Sequence, residues 1–401
     1  MAWKYVNATV PSGQMLQGDA SCHASGWQRF HDGDLGVIWM ETETDGTAAG
    51  IAVSEGITLE ELQLAARNHG MPLEGLRYDV TPLGMHYLLT HFDIPAAEDS
   101  AWSVRIGGHV REPLDLTMDE LRALPAMTAA VTMECAGNGR ARLEPRPLSQ
   151  PWIAEAVGTA RWTGTALAPI LAGAGLPDDA VEIKFTGADH GIQGGVEQDY
   201  ERSLSIAEGL RPEVLLAYAI NGQPLPPQHG HPVRLLVPGW YGMTSVKWLR
   251  EITVLAEPFD GFQMDAYRLR QHPGDEGVAV TRMQPRALMI PPGFPHFFER
   301  TRTVASGPVR LEGRAWSGWA PIAGVEVSTD GGRTWAEAHV EARLAPYAWT
   351  RWSLGWDAAL GEYELVVRAR DEAGNMQPVD QAWNHHGLSN NEVQRVLVTV
   401  R

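Results

Sequence analysis

The spacing of apolar and polar positions changes twice along this chain. The first 50 or so residues scatter Gly, Ser, Asp and His among few apolar periods and predict no regular element. From Thr58 the spacing turns helical. Thr58 stands as an N-cap, Glu61 completes a capping box, Leu62, Ala65 and Ala66 mark one face, and Gly70 ends the run. The same box recurs at Thr117 and Glu120 and predicts a helix over Thr117–Leu124. Between Thr81 and about Ala256, short strands and helices are expected to mix. Ser103–Val110, Val181–Phe185 and Val233–Val237 read as strands, the last ending at Pro238-Gly239. Ala166–Ala174 and Val214–Ala219 read as helices, and Asn221-Gly222 as a turn.

The second change comes after a stretch rich in Pro, Gly and Phe, Pro285–Pro295, which reads as a linker. Beyond Pro308 the period becomes 2. Val309–Ala315, Gly324–Ser328, Thr334–Val340, Tyr347–Leu354 and Tyr363–Arg370 alternate apolar with polar residues, and turns such as Thr329-Asp330-Gly331-Gly332 fall between them. Regular short strands over such a length predict an immunoglobulin-like sandwich, without the Cys–Trp–Cys pattern of antibody domains.

At 401 residues the chain has room for two or three domains. Its net charge of −17 argues against nucleic acid as a partner, because phosphate binding needs a basic surface. The same charge suits steering toward a basic protein such as an electron-accepting cytochrome, although solubility alone also accounts for it. No apolar run reaches the roughly 18 residues of a membrane span. Met1-Ala2-Trp3-Lys4-Tyr5 has neither the basic nor the apolar part of a leader, so a cytoplasmic home is expected, or a periplasmic one had a leader been removed.

Two cysteines occur in the sequence, too few for a disulfide framework or a multi-cysteine zinc site. Cys22-His23 lacks the second cysteine of a covalent haem motif and reads as inert. Cys135 lies in Met133-Glu134-Cys135-Ala136-Gly137-Asn138-Gly139-Arg140, directly after the apolar run Ala129–Met133. A thiol followed by Gly, Asn and Gly suits a tight loop that approaches a ligand closely, with Arg140 at hand to hold a thiolate or an anion. That pattern fits a metal ligand or a nucleophile; the plain alternative is a small buried hydrophobe.

Set in order, several segments resemble the sulfite oxidase family of molybdenum enzymes over roughly residues 75 to 400. They are Glu134–Asn138, Thr159–Gly164, Asn221–Pro226 with His229-Gly230, Pro232-Val233-Arg234, Val246–Leu249 and Val327–Trp335. The resemblance implies an α+β chain: a mixed α/β molybdopterin-binding domain over residues 76–284, then an immunoglobulin-like dimerisation domain over 285–401, with residues 1–75 an extension of no assigned role. It implies molybdenum and molybdopterin as cofactors, with Cys135 the protein thiolate on the metal. His91, Asp189, His229, Arg234, Ser245, Val246 and Lys247 fall on the family's cofactor-contacting positions. Arg140, Trp152 and Tyr267 fall on substrate positions.

Two departures accompany the resemblance. Leu89 stands where the family carries an arginine two residues before the cofactor histidine, and Trp319–Ala323 lacks another expected arginine. The implied activity is oxygen-atom transfer to sulfite or a related sulfur compound, in a homodimer that passes electrons to an external cytochrome or to dioxygen. A reductase of sulfoxides or N-oxides, a non-catalytic homologue and a cysteine hydrolase stand as rivals.

Overall fold

The computed structural model describes residues 56–401, so the reading of Cys22-His23 and of the first 55 residues lies outside the described residues. Both capping boxes form. Thr58 Oγ1 accepts from Glu61 N and Thr58 N donates back to Glu61 at the start of helix Leu59–Arg67. The same reciprocal pair starts helix Met118–Ala123 at Thr117 and Glu120. Met71 and Leu76, just past the first helix, are fully buried against Ala136, Trp316 and Trp349.

One five-stranded sheet runs Leu114–Thr117, Ser103–Gly108, Leu249–Leu255, Glu182–Gln193, Val196–Ser205. Ser103–Gly108 and Leu249–Leu255 run parallel, and the other neighbours are antiparallel. A second sheet runs Ala126–Glu134, Val157–Ala166, Leu215–Ile220, Gln223–Pro224, with Arg234–Leu236 also paired to Leu215–Ile220. Helices Met118–Ala123 and Leu167–Gly173 join the core between the sheets, where Leu121 and Leu171 meet Ile106, Phe185, Leu216 and Leu235.

Val214–Ala219 is therefore strand, not helix. Leu216 faces the core between the sheets, while Leu215 and Ala217 pack on the opposite face with Val131 and Trp162. A strand covered on both faces is apolar throughout and carries no alternation to mark it.

The stretch Pro285–Pro295 is not a linker either. Its Arg286–Met289 is a strand buried at every position and paired antiparallel with Gly307–Trp316. It opens a sheet ordered Arg286–Met289, Gly307–Trp316, Thr350–Ala358, His339–Val340. Facing it is a sheet ordered Phe294–Pro295, Arg302–Val304, Gln394–Val400, Gly361–Asp371, Ile322–Ser328, Ala336–Glu337. Leu311 and Trp352 of the first sheet pack on Val325, Leu365 and Val398 of the second, which makes the expected β-sandwich. The expected strand Thr334–Val340 divides, Ala336–Glu337 pairing in one sheet and His339–Val340 in the other. Among the described residues no helix is long and apolar enough to cross a membrane.

Candidate active site

Strand Ala126–Glu134 is exposed at its start and buried from Ala130 onward, and it delivers Cys135 into the interior at its end. Cys135 N donates to Ala156 O at 2.9 Å, and the loop turns back as Asn138 N donates to Cys135 O at 3.0 Å. Gly139 sits at φ +91°, a conformation that favours glycine. A Cβ on Gly137 would stand 2.7 Å from the Arg140 guanidinium, so the missing side chain is what lets Arg140 lie over the loop.

Glu134 and Asn138 hold this loop from behind. Asn138 Nδ2 donates to Glu134 Oε1 (2.9 Å) and to Ala154 O (3.1 Å), while its Oδ1 accepts from Ala156 N. Glu134 is buried, paired with Arg286 at 2.8 Å, and accepts from Trp316 Nε1 at 2.8 Å. Arg286 and Trp316 belong to the sandwich, so the reactive loop of one half of the chain is anchored in the other.

Cys135 lies where two cavities meet. The inner one, about 640 Å³ of space, is lined by His91, Asp189, Arg234, Ser245 and Lys247 among others. The outer one, about 1460 Å³ counting the solvent space at its mouth, is lined by Arg140, Trp152 and His386 among others. Cys135, Leu89, His91 and Tyr267 border both.

Among the described residues, the inner cavity holds two buried cations and one buried carboxylate, none of them in a direct ion pair. Arg234 is buried, and its Nη1 and Nη2 donate to the carbonyls of His229 (3.1 Å) and Ser245 (2.8 Å). Lys247 Nζ donates to Leu89 O (2.8 Å) and Gln228 O (3.0 Å). Among the described residues neither has a carboxylate within ion-pair distance. Burial pushes Arg234 down to about 10. Burial likewise pushes Lys247 down, with Arg234 adding to the effect. Asp189 is pushed up by its own burial, and its Oδ1 is buried with no partner. Such a compartment suits an anionic group that also carries N–H donors.

Not every expected residue lines the space. His229 is buried behind it, its ring 5.7 Å from that of His86. Val246 turns its side chain into the core between the sheets, and its carbonyl accepts from Leu235 N. The loop at Trp319 borders neither cavity; Trp319 is half exposed beside Arg282. Of the two departures, then, only Leu89 faces the cleft.

Sequence reasoning missed Met133 and Tyr200 of the inner wall and His386 of the outer one. It also missed the amides that position His91: Gln193 Oε1 lies 2.8 Å from His91 Nε2 and accepts from Gln263 Nε2 at 2.8 Å. These residues lie 102 and 172 positions from His91, and no local motif marks them.

Burial pushes the Cys135 thiol up, against the opposing pull of the Gly137 amide and of Arg140. Among the described residues no histidine hydrogen-bonds it, so the cysteine-hydrolase reading lacks its base. A bound metal would deprotonate the thiol outright. No three His, Cys, Asp or Glu side chains among the described residues come together to hold an ion, so a metal here would take its other ligands from outside the protein.

His86, in the inner wall, gives a pH prediction. Burial pushes it down to about 4, while its Nδ1 lies 3.0 Å from Tyr87 O. Between its unfolded value of about 6.5 and the folded one, the unfolded chain takes up a proton that the folded chain refuses. Stability is therefore full above about pH 6.5 and falls as pH drops toward 4, by about 3 kcal/mol from this group. Urea unfolding at pH 7, 5.5 and 4.5 should show a shallower decline in His86→Asn; equal declines would refute the assignment.

Comparison with known proteins accords with this geometry. Residues 91–263 match the oxidoreductase molybdopterin binding domain, and residues 288–401 match the Mo-co oxidoreductase dimerisation domain. The chain is 34% identical over 343 residues to the sulfite oxidase of Gallus gallus, covering 77% of this chain and 71% of that protein. It is 31% identical over 351 residues to an NADH nitrate reductase of Brassica napus, covering 80% of this chain but 38% of that longer protein. The solved sulfane dehydrogenase SoxCD of Paracoccus pantotrophus shares the fold, with a TM-score of 0.71 at 24% identity over 86% of this chain and 93% of that one. The chain belongs to the sulfite oxidase family of molybdopterin-dependent oxidoreductases. Its cofactor is molybdenum bound to molybdopterin.

Proposed function

We propose that this enzyme transfers an oxygen atom to a small sulfur compound and passes the electrons to an external acceptor such as a cytochrome, working as a homodimer through residues 288–401. The observation that carries the reading is the position of Cys135, at the neck between a cation-lined inner cavity and an outer one with Arg140 at its wall. When bound, the molybdenum cofactor supplies two-electron oxygen-atom transfer with water as the oxygen source.

The protein's part follows from its own side chains. Cys135 would hold the metal as a thiolate. Arg234 and Lys247 would hold the anionic tail of the cofactor, and Asp189, whose buried Oδ1 has no partner, would accept from its N–H groups. His91, fixed by Gln193, and Ser245 complete that cradle, with His229 and Val246 behind it.

Arg140, its Nε and Nη1 held by His386 O (2.9 Å) and Gln150 O (3.2 Å), presents a fixed guanidinium to an anionic substrate. Burial raises Tyr267, so its hydroxyl keeps a proton to donate to an oxygen beside Cys135. Trp152 walls the substrate side.

The purified holoenzyme should contain close to one molybdenum per chain and reduce ferricyanide and cytochrome c when sulfite is added. Molybdenum without sulfite-dependent turnover would discard sulfite as a substrate. The similarity to nitrate reductase favours one second reading, reduction of an oxo compound at the same site. Turnover of nitrate, N-oxides or sulfoxides with a reduced dye would mark that direction.

Leu89 borders Cys135 where a guanidinium would add charge-assisted contact with an anion. Leu89→Arg should lower the KM for sulfite by about tenfold, the scale of one charged hydrogen bond. An unchanged KM would mean that position 89 does not front the substrate.

A further inference from the structure

We propose that the outer cavity is built for an organosulfinate, R–SO2−, with an apolar R group; this rests on the oxygen-transfer reading above and names its substrate. The first ground is size and lining. The cavity is bordered by 21 residues, many more than the four heavy atoms of sulfite can touch. Its walls include Leu64, Leu89, Phe92, Leu148, Phe262 and Leu388. Apolar walls with a few placed polar groups are what an organic ligand needs.

The second ground is charge. Among the described residues that line the cavity, Arg140 is the one guanidinium or ammonium group, and no carboxylate lies within ion-pair distance of it. Asp265 is tied to Arg270, and burial keeps His386 neutral by lowering it to about 4. His91 is lowered by burial in the same way. One guanidinium balances one negative charge, which is the charge of a sulfinate; deprotonated sulfite carries two.

The third ground is a second N–H donor, placed beside the thiol. Trp152 is 5% exposed, lines the cavity, and its buried Nε1 has no oxygen or nitrogen acceptor and faces the Cys135 sulfur, whose ionised form it favours. Arg140 and Trp152 supply N–H groups for the two sulfinate oxygens, leaving the sulfur lone pair free to face Cys135 and the metal it would hold, while R lies along Leu64, Phe92 and Phe262. The reaction is R–SO2− + H2O → R–SO3− + 2 H+ + 2 e−. One S–O bond forms with oxygen from water, sulfur is oxidised by two electrons, and two equivalents of a one-electron acceptor such as ferricyanide or a ferric cytochrome are reduced.

The test is kcat/KM for methane-, propane-, butane- and benzenesulfinate against sulfite, on the holoenzyme with ferricyanide, with the sulfonate product identified by chromatography. Each added methylene should raise kcat/KM by about fourfold, so that butanesulfinate exceeds methanesulfinate by on the order of fiftyfold. In Leu89→Arg the preference should shift toward sulfite. Rapid sulfite oxidation with sulfinates inert, or with kcat/KM flat across R, would overturn this assignment and leave the oxygen-transfer reading standing. No oxidation of sulfite or any sulfinate by a molybdenum-replete sample would overturn both.

Discussion

Cys135→Ser is expected to remove turnover by on the order of a thousandfold or more while the chain stays folded. The two side chains are nearly the same size, and Cys135 is 8% exposed, so the packing around Tyr87, Met133 and Trp152 has little to rearrange. The chemistry changes far more. A buried thiol whose ionisation is already disfavoured still becomes a soft thiolate on a metal, whereas a serine hydroxyl is harder and much less acidic. Three readouts belong together: steady-state turnover, molybdenum content, and the visible absorption of the metal–thiolate bond, with far-ultraviolet circular dichroism as the folding control. A folded, metallated variant that keeps a tenth of the parent's activity would end the ligand assignment.

The second large effect is expected at Glu134, the residue before it. Glu134→Ala should cost about 3–5 kcal/mol of stability, because it leaves Arg286 buried without its anion. Trp316 Nε1 and Asn138 Nδ2 lose an acceptor in the same change. Glu134→Gln keeps shape and one acceptor and should fall between the parent and the alanine variant. Urea midpoints converted with a common slope give the comparison, and a shift under 1 kcal/mol in Glu134→Ala would show that the pair contributes nothing net. Since Glu134 adjoins Cys135, turnover should fall along with stability.

What was legible in the sequence was local or repetitive. The capping boxes at Thr58 and Thr117 were read correctly because each is complete within four residues. The alternation after Pro308 forecast the sandwich because one face of each strand meets solvent. Legibility failed where burial is complete. Leu215–Ile220 is apolar on both faces and imitates a helical run, and Arg286–Met289 hides a four-residue strand among prolines. Gln394–Val400 lies inside the second sheet of the sandwich, between Arg302–Val304 and Gly361–Asp371, without having been anticipated.

At the site, the motif around Cys135 and the resemblance to a known family led to residues that the fold does gather: His91, Cys135, Asp189, Arg234, Ser245, Lys247 and Tyr267 all border the inner cavity. Trp152 and Arg140 border the outer one. His386, Gln193 and Gln263 escaped because their place depends on which segments fold against one another, and no spacing along the chain encodes it.

The anchoring of the Cys135 loop bears on protein engineering. A chimaera that takes residues 286 onward from a relative also takes that relative's residues at the positions of Arg286, Trp316 and Asn390. Arg286 neutralises Glu134, Trp316 donates to it, and Asn390 Nδ2 donates to Gly139 O at 2.8 Å. A donor domain that differs at these three positions would leave Glu134 buried without its cation and the thiol loop without its anchors, so grafts should be screened for stability and metal retention before they are screened for new substrates.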